Sequence, residues 1–281
     1  MPYCLIFPGQ GSQFPGMSAG LDLGWTRDDA LIGLMENGPE DTLRQTTNAQ
    51  KAVFAVTAAL WEKSGLDGPA VTMGHSLGEY MALVASRAIS VRECYTLVER
   101  RAHAMQDAAP GRSGAMAAVL GLPADDVARL IEPVQNVWVA NLNSPGQVVI
   151  SGHASSVKDA AIVLKENGAR RVAPLEVAVA SHCPLMEPAE EILREYLKGV
   201  RIERPCTRVV FNATAREESE PEKIKHNLAL QLVSPVRWEE SIRYAAAQGI
   251  DRFIEIGPRS VLAPLVKRIV PQAGVEVITP Q

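Results

Sequence analysis

Four cysteines in 281 residues, Cys4, Cys94, Cys183 and Cys206, stand far apart and never in C-x-x-C spacing. Neither a disulfide framework nor a zinc site is expected from them, and a reducing cytoplasm is the expected setting. There is no basic excess: 28 Lys and Arg against 32 Asp and Glu leave a net charge of −4. That balance speaks against a nucleic-acid surface, which needs a basic stripe. No apolar run reaches the roughly 18 residues that suggest a membrane span. The opening "MPYCLIFPGQ" lacks a basic start and a small-residue cleavage site, so it reads as a first strand rather than a secretory leader. Internal repeats and low-complexity tracts are absent too. What remains is a chain 47% hydrophobic and 21% charged, long enough to bury one large core or two unequal ones.

Along the chain, short apolar runs alternate with helical spacing. Tyr3–Phe7 reads as a strand, and 41–64 carries apolar residues at helical intervals (Val53, Phe54, Val56, Leu60, Trp61). A brief run at 70–73 precedes helices over 79–88 and 92–106. This alternation predicts an α/β fold with a mainly parallel sheet covered by helices. The rhythm then changes to strand (115–120), helix (124–131), strand (137–142), strand (147–151), helix (155–166) and strand (171–179), with the turn "NSPG" between the paired strands. That order is the split ferredoxin-like unit, expected as a small domain over 114–179 inserted into a large one formed by 1–113 and 180–281. After it the alternation resumes, with strands at 208–212 and 252–256 and helices over 185–198, 225–232, 238–248 and 261–269.

Within this frame, "TMGHSLGEYMALVASRA" at 72–88 contains G-x-S-x-G between an apolar strand and a helix. The five-residue pattern alone is weakly specific, but that context is the one in which it forms a nucleophile elbow. The sharp turn presents a serine, here Ser76, and the following helix aims its N-terminal N–H groups at the serine oxygen. A serine needs a base to take its proton. Of the five histidines, His75 sits inside the turn and is expected to pack it, pointing away from Ser76. His103 lies in a helix, His153 at a strand end, and His226 among charges. His182, in "VAVASHCPLMEPAEE", stands where an apolar strand gives way to a helix, beside the return from the small domain to the large one. It is the candidate base, though local pattern leaves a packing role equally open. The "RR" at Arg100 and Arg101 is by default a solvated pair.

Four segments in this order, "IFPGQGSQFPGM", "GHSLGEY", "LVERRAHAMQ" and "SHCPLMEPA", resemble the malonyl-CoA:acyl carrier protein transacylases and the acyltransferase domains of polyketide synthases. "NLNSPGQVVISG", "QLVSPVRW" and "EIGP" extend the resemblance over nearly the whole chain. It implies an α/β-hydrolase-like large domain with a ferredoxin-like small one. It also implies Ser76 as nucleophile, His182 as base, and the backbone N–H groups of Gln10 and Leu77 as oxyanion hole. Arg101 would bind the malonyl carboxylate, Gln50 would line the acyl pocket, and Asn143 would stand near the active-site histidine. The backbone carbonyl of Gln231 would orient His182. A guanidinium fork suits a carboxylate, yet the pair "RR" does not say which arginine turns inward.

The implied reaction is acyl transfer by a ping-pong mechanism, from malonyl-CoA to Ser76 and then to the phosphopantetheine thiol of an acyl carrier protein. No permanently bound cofactor or metal is expected, and a monomer is. "VASH" at 179–182 keeps methylmalonyl and ethylmalonyl as minority substrates beside malonyl. A serine hydrolase clearing acyl carrier proteins with the same dyad is the alternative, and a non-catalytic scaffold a third reading that the retained dyad argues against. Carrier proteins of this kind are acidic, so docking is expected on a local basic patch, with Arg170 and Arg171 as candidates. Three departures stand out: the segment after Met17 is short, so that either a helix usual there is trimmed or residues are absent from this sequence; Lys51 replaces a proline; and Arg259-Ser260 replaces a Gly-Lys pair.

Overall fold

The computed structural model describes residues 2–109, 114–177 and 179–280. The chain begins with β1 (Tyr3–Phe7), α1 (Asp29–Asn37), α2 (Glu40–Leu43) and α3 (Thr46–Ser64), followed by β2 (Val71–Gly74), α4 (Gly78–Ala85) and α5 (Val91–Asp107). Next come β3 (Gly114–Leu120), α6 (Ala124–Ile131), β4 (Val137–Ser144), β5 (Gln147–His153), α7 (Ala154–Glu166) and β6 (Arg171–Pro174). The last stretch holds α8 (Glu187–Leu197), β7 (Arg208–Phe211), β8 (Arg216–Glu217), α9 (Pro221–Leu230), α10 (Trp238–Ala247), β9 (Arg252–Ile256), α11 (Ala263–Ile269) and β10 (Gly274–Ile278).

The strands form two sheets in a mixed α/β architecture. The larger has the order β10-β9-β1-β2-β7-β8, parallel except for the short β8. Side chains alternate across a strand, and both faces of β1 are buried. Leu5 and Phe7 pack with α3, α4, α5, α8 and α9, whereas Cys4 and Ile6 pack with α10 and α11. A strand covered on both faces reads as an unbroken apolar run, which is why "YCLIF" is legible as one. The smaller sheet is antiparallel with order β4-β5-β3-β6. Its core is formed with α6 and α7, through Val119, Ile150, Val127, Ile131, Val157 and Leu164. β4 is tied to the large sheet's side of the molecule, since Leu142 N–H donates to the Val236 carbonyl and Val236 N–H to the Ala140 carbonyl, both at 2.9 Å.

Several expected bounds move. The last small-sheet strand stops at Pro174 instead of reaching Val179, its final contact with β3 being the Leu175 N–H donated to the Met116 carbonyl at 2.9 Å. The expected helix over 41–64 is two helices, broken where Gln45 turns extended (ψ 137°). The helix expected from 185 begins as a 3₁₀ turn, Pro184–Met186. A nine-residue helix, α1, occupies the short stretch after Met17. Its cap is Asp28, which accepts from Leu31 N–H and also takes the Lys51 ammonium at 2.7 Å, so the departure at Lys51 pins α3 to the start of α1. The expected domain crossing at 113/114 begins outside the described residues, as does Ala178 before the return at 179/180.

Candidate active site

β2 lies beside β1 in the sheet interior, and at its carboxyl end Gly74 is level with Phe7. Three residues carry the chain from β2 into α4, and Ser76 is placed at φ 52°. A non-glycine residue there costs about 1–3 kcal/mol, so the surroundings must hold it. The flanking glycines are required by close approach. A Cβ on Gly74 would lie 1.9 Å from the Gly78 carbonyl carbon, and one on Gly78 would lie 2.0 Å from the Phe7 carbonyl oxygen. His75 N–H donates to the Phe7 carbonyl at 2.9 Å. The His75 ring meets the Trp238 ring edge-on and shares a 2.8 Å hydrogen bond with Asn143 Oδ1, so it packs the turn as expected. Burial lowers its pKa.

Ser76 Oγ is 2.8 Å from His182 Nε2, although 106 residues separate them. His182 Nδ1 donates to the backbone carbonyl of Gln231 at 2.8 Å. A carbonyl only accepts, so the proton sits on Nδ1 and the Nε2 lone pair faces the serine hydroxyl. His182 is buried and, like Ser76, lies at positive φ (61°). Burial, then the charge of Arg101, pushes its pKa down to about 3. The imidazole is therefore neutral, and able to accept a proton, throughout the physiological range.

Arg101 settles which member of the pair turns inward. It is 1% exposed, whereas Arg100 is exposed and lies over the Tyr196 ring. The Arg101 guanidinium donates to Gln50 Oε1 at 2.7 Å, Gln231 Oε1 at 3.0 Å and Ser76 Oγ at 3.2 Å, and it lies 5.5 Å from the Tyr80 ring centroid. Among the described residues no carboxylate forms an ion pair with it, and its Nε has no hydrogen-bond partner. The nearby carboxyl of Glu79 is fully buried and pushed up to about 8, so it carries little charge at neutral pH. A buried cation without a counter-charge costs several kcal/mol. Such a group, 3.2 Å from Ser76 Oγ, can receive an anion.

A profile described as "Acyl transferase domain" matches residues 4–279. This chain belongs to that family. Malonyl CoA-acyl carrier protein transacylase of Escherichia coli K12 is 40% identical over 286 residues, 95% of this chain and 93% of that protein. The protein of the same name from Bacillus subtilis strain 168 is 42% identical, across 94% and 89% of the two chains. A crystal structure of an acyl carrier protein S-malonyltransferase from Vibrio cholerae superposes with a TM-score of 0.93 at 39% identity, covering 100% of this chain and 98% of that one. A malonyl-transacylase solved in complex with its type II PKS acyl-carrier protein gives a TM-score of 0.94 at 38% identity, covering 100% and 97%.

Other residues singled out in this acyltransferase domain fall as follows. Gln50 is fully buried and bridges the clamp to the first loop, with Nε2 3.4 Å from Gln10 Oε1. Leu77 caps α4, and the Gly9 backbone lies against the elbow, a Cβ there falling 3.7 Å from the Leu77 nitrogen. The Gln10 and Leu77 amides have no hydrogen-bond acceptor among the described residues. Asn143 bonds His75, not His182. Gln231 does more than orient the base: its side chain also spans from Arg101 to the Ser76 carbonyl, with Nε2 donating at 3.0 Å. Arg259 donates to the Gln13 carbonyl at 3.1 Å, tying the loop after β9 to the first loop. Asn212 and Glu79, which bracket the elbow, escape the sequence reading. The one signal for Asn212 is a polar residue directly after an apolar strand, at the sheet end where α/β sites lie. A surface cleft of about 680 Å³ lined by Trp25, Trp61, Arg87 and Arg92 includes none of these groups.

Proposed function

We propose that this acyltransferase moves a malonyl group from malonyl-CoA to the phosphopantetheine thiol of an acyl carrier protein through an ester on Ser76. The observation that carries this reading is the buried Arg101 cation, 3.2 Å from Ser76 Oγ and without a carboxylate partner among the described residues. A malonyl thioester brings both the electrophile for Ser76 and the carboxylate for Arg101. His182 Nε2 takes the proton as Ser76 Oγ attacks the thioester carbonyl. The Gln10 and Leu77 amides receive the oxyanion. The intermediate collapses, and CoA leaves as its thiol with the proton from His182. In the second half-reaction His182 takes the proton of the carrier's thiol, which attacks the ester and regenerates Ser76. Gln50 and Gln231 hold the guanidinium, and Asn143 acts indirectly, through His75.

The chain's own chemistry calls for no permanently bound cofactor and no metal, and the reading includes a monomer working in the cytoplasm. The finer description of the fold is an α/β-hydrolase-like domain (1–113 and 180–281) carrying a ferredoxin-like one (114–179). The antiparallel β4-β5-β3-β6 order, with α6 and α7 sharing its core, supports the second half of that description. The carboxylate clamp argues against a hydrolase acting on neutral acyl chains, which has no use for a buried arginine.

Intact mass after incubation with malonyl-CoA tests the proposal. The unaltered protein should gain one malonyl group and lose it when holo carrier protein is added. Ser76→Ala should gain none, and His182→Ala should load slower by roughly 10³ or more. A malonyl mass on the Ser76→Ala protein would sink the assignment.

A further inference from the structure

The structure assigns to Asn212 a positioning role: its side-chain amide clamps the backbone on both sides of the nucleophile, fixing the elbow and leaving the Leu77 amide free for the oxyanion. This rests on the reading of Ser76 as nucleophile. Asn212 follows directly on β7, which pairs with β2 (Met73 level with Val210), so it emerges where β2 turns into the elbow. Its Oδ1 accepts from Ser76 N–H at 2.7 Å, and its Nδ2 donates to the Gly74 carbonyl at 2.7 Å. Its own backbone is fixed as well. The N–H donates to Glu79 Oε2 on α4 at 2.7 Å, and the carbonyl accepts from Arg237 N–H at 3.0 Å. The residue is 1% exposed.

The physical reason is the turn itself. At φ 52° the Ser76 N–H and the Gly74 carbonyl leave the β-ladder before α4 can use them, and buried backbone groups must be paired. One planar amide supplies an acceptor and a donor at the required spacing; an ionised carboxylate offers no donor, and an alkyl side chain offers neither. Engaging Ser76 N–H keeps it out of the oxyanion site and aims Oγ at His182. The bonds described for Asn212 reach neither Arg101 nor Gln50 directly, so substituting it removes no hydrogen bond of the guanidinium.

Single-turnover acylation of the full chain by malonyl-CoA, followed by quench and intact mass, separates the possibilities. Asn212→Ala should lower the limiting rate about 10- to 100-fold, while the malonyl-CoA concentration for half-maximal rate changes less than about threefold. Asn212→Asp should be similarly slow at pH 8 but recover at least about tenfold, relative to the unaltered protein, at pH 5. There the introduced carboxyl, buried beside Glu79, is protonated and offers the same acceptor and donor as the amide. The neighbouring groups do not produce this recovery: His182, held near 3, stays neutral over the range; Glu79, near 8, is protonated at pH 5; and Arg101 stays charged. The ratio to the unaltered protein removes any contribution from Glu79 that both share. If Asn212→Ala does not fold, the near-isosteric Asn212→Asp carries the test. An Asn212→Ala protein that loads at the unaltered rate, or an Asn212→Asp pH profile parallel to the unaltered one, overturns the role. Failure of the unaltered protein to load would instead strike the function proposed above.

Discussion

Arg101 and Arg100 are neighbours of identical chemistry with opposite fates. Arg101 stands four residues after Leu97 and three after Val98, within the stripe those two bury, whereas Arg100 lies about 100° back toward the solvent face. Removing the Arg101 guanidinium should cost malonyl transfer at least about 10- to 100-fold, because a charge-assisted pair contributes about 1.5–3 kcal/mol and each 1.4 kcal/mol is a decade. Acetyl-CoA carries no such carboxylate, and its rate should hold level or rise. Arg101→Lys should restore only part of the malonyl rate, since an ammonium lacks the planar fork. The pH profile offers a second reading. Arg101 is one of the causes that depress His182, so in Arg101→Ala the base becomes easier to protonate and the acid limb of kcat/KM moves to higher pH. The measurement is kcat/KM for both thioesters against pH, on Arg101→Ala and Arg100→Ala. Loss of malonyl selectivity in Arg100→Ala alone would place the clamp on the wrong residue.

At the scale of elements, the β2–elbow–α4 unit decides the site, and its tolerance to change is set by backbone contacts. Gly78→Ala drives a Cβ into the Phe7 carbonyl oxygen, at 2.0 Å, which forces β1 and α4 apart. Overpacking of this kind costs about 1–3 kcal/mol or more, and acylation should fall with it, since the Leu77 amide precedes the shifted residue. Gly33→Ala in α1 meets nothing within 4 Å and should stabilise by up to about 1 kcal/mol with acylation unchanged. Denaturant titration of both variants checks the pair; a Gly78→Ala protein as stable as the unaltered one would refute the packing argument. The unit was legible because an apolar strand, two glycines and a largely apolar helix, buried along its whole length, occur in unbroken order. By contrast, α1 carries an internal glycine and buries only Leu31 and Met35, and the edge strand β10 is mostly exposed, so neither has a strong period to read.

At the scale of the molecule, the chain leaves the large sheet after α5 and returns with His182 in place. Gly114, at the start of β3, packs against Ala180, where a Cβ would lie 2.6 Å from the alanine methyl. Arg171 is level with Leu120 at the other end of β3. Six residues of strand put that end about 20 Å from Gly114, beyond the Debye length of about 10 Å at 0.1 M salt. Arg170 and Arg171 are exposed there, at a distance where salt screens their charge from the dyad. Reversing both to Glu should raise the KM for carrier protein several-fold and leave loading of Ser76 by malonyl-CoA unchanged. Steady-state transfer with varied carrier concentration checks this, and an unaltered carrier KM removes the patch.

The sequence by itself determined the alternation of strand and helix, the elbow around Ser76, and a histidine beside the return from the small domain to the large one as candidate base. These follow from local spacing, which a linear chain displays openly. Only the tertiary structure decided that His182 meets Ser76 across 106 residues, that Arg101 rather than Arg100 is buried, that Asn143 holds His75, and that Asn212 grips the elbow from 136 residues away. Each of those contacts is made where elements far apart in sequence converge at the carboxyl end of one parallel sheet. A polar residue there carries no periodic mark, because its partner, not its neighbours in the chain, gives it a role.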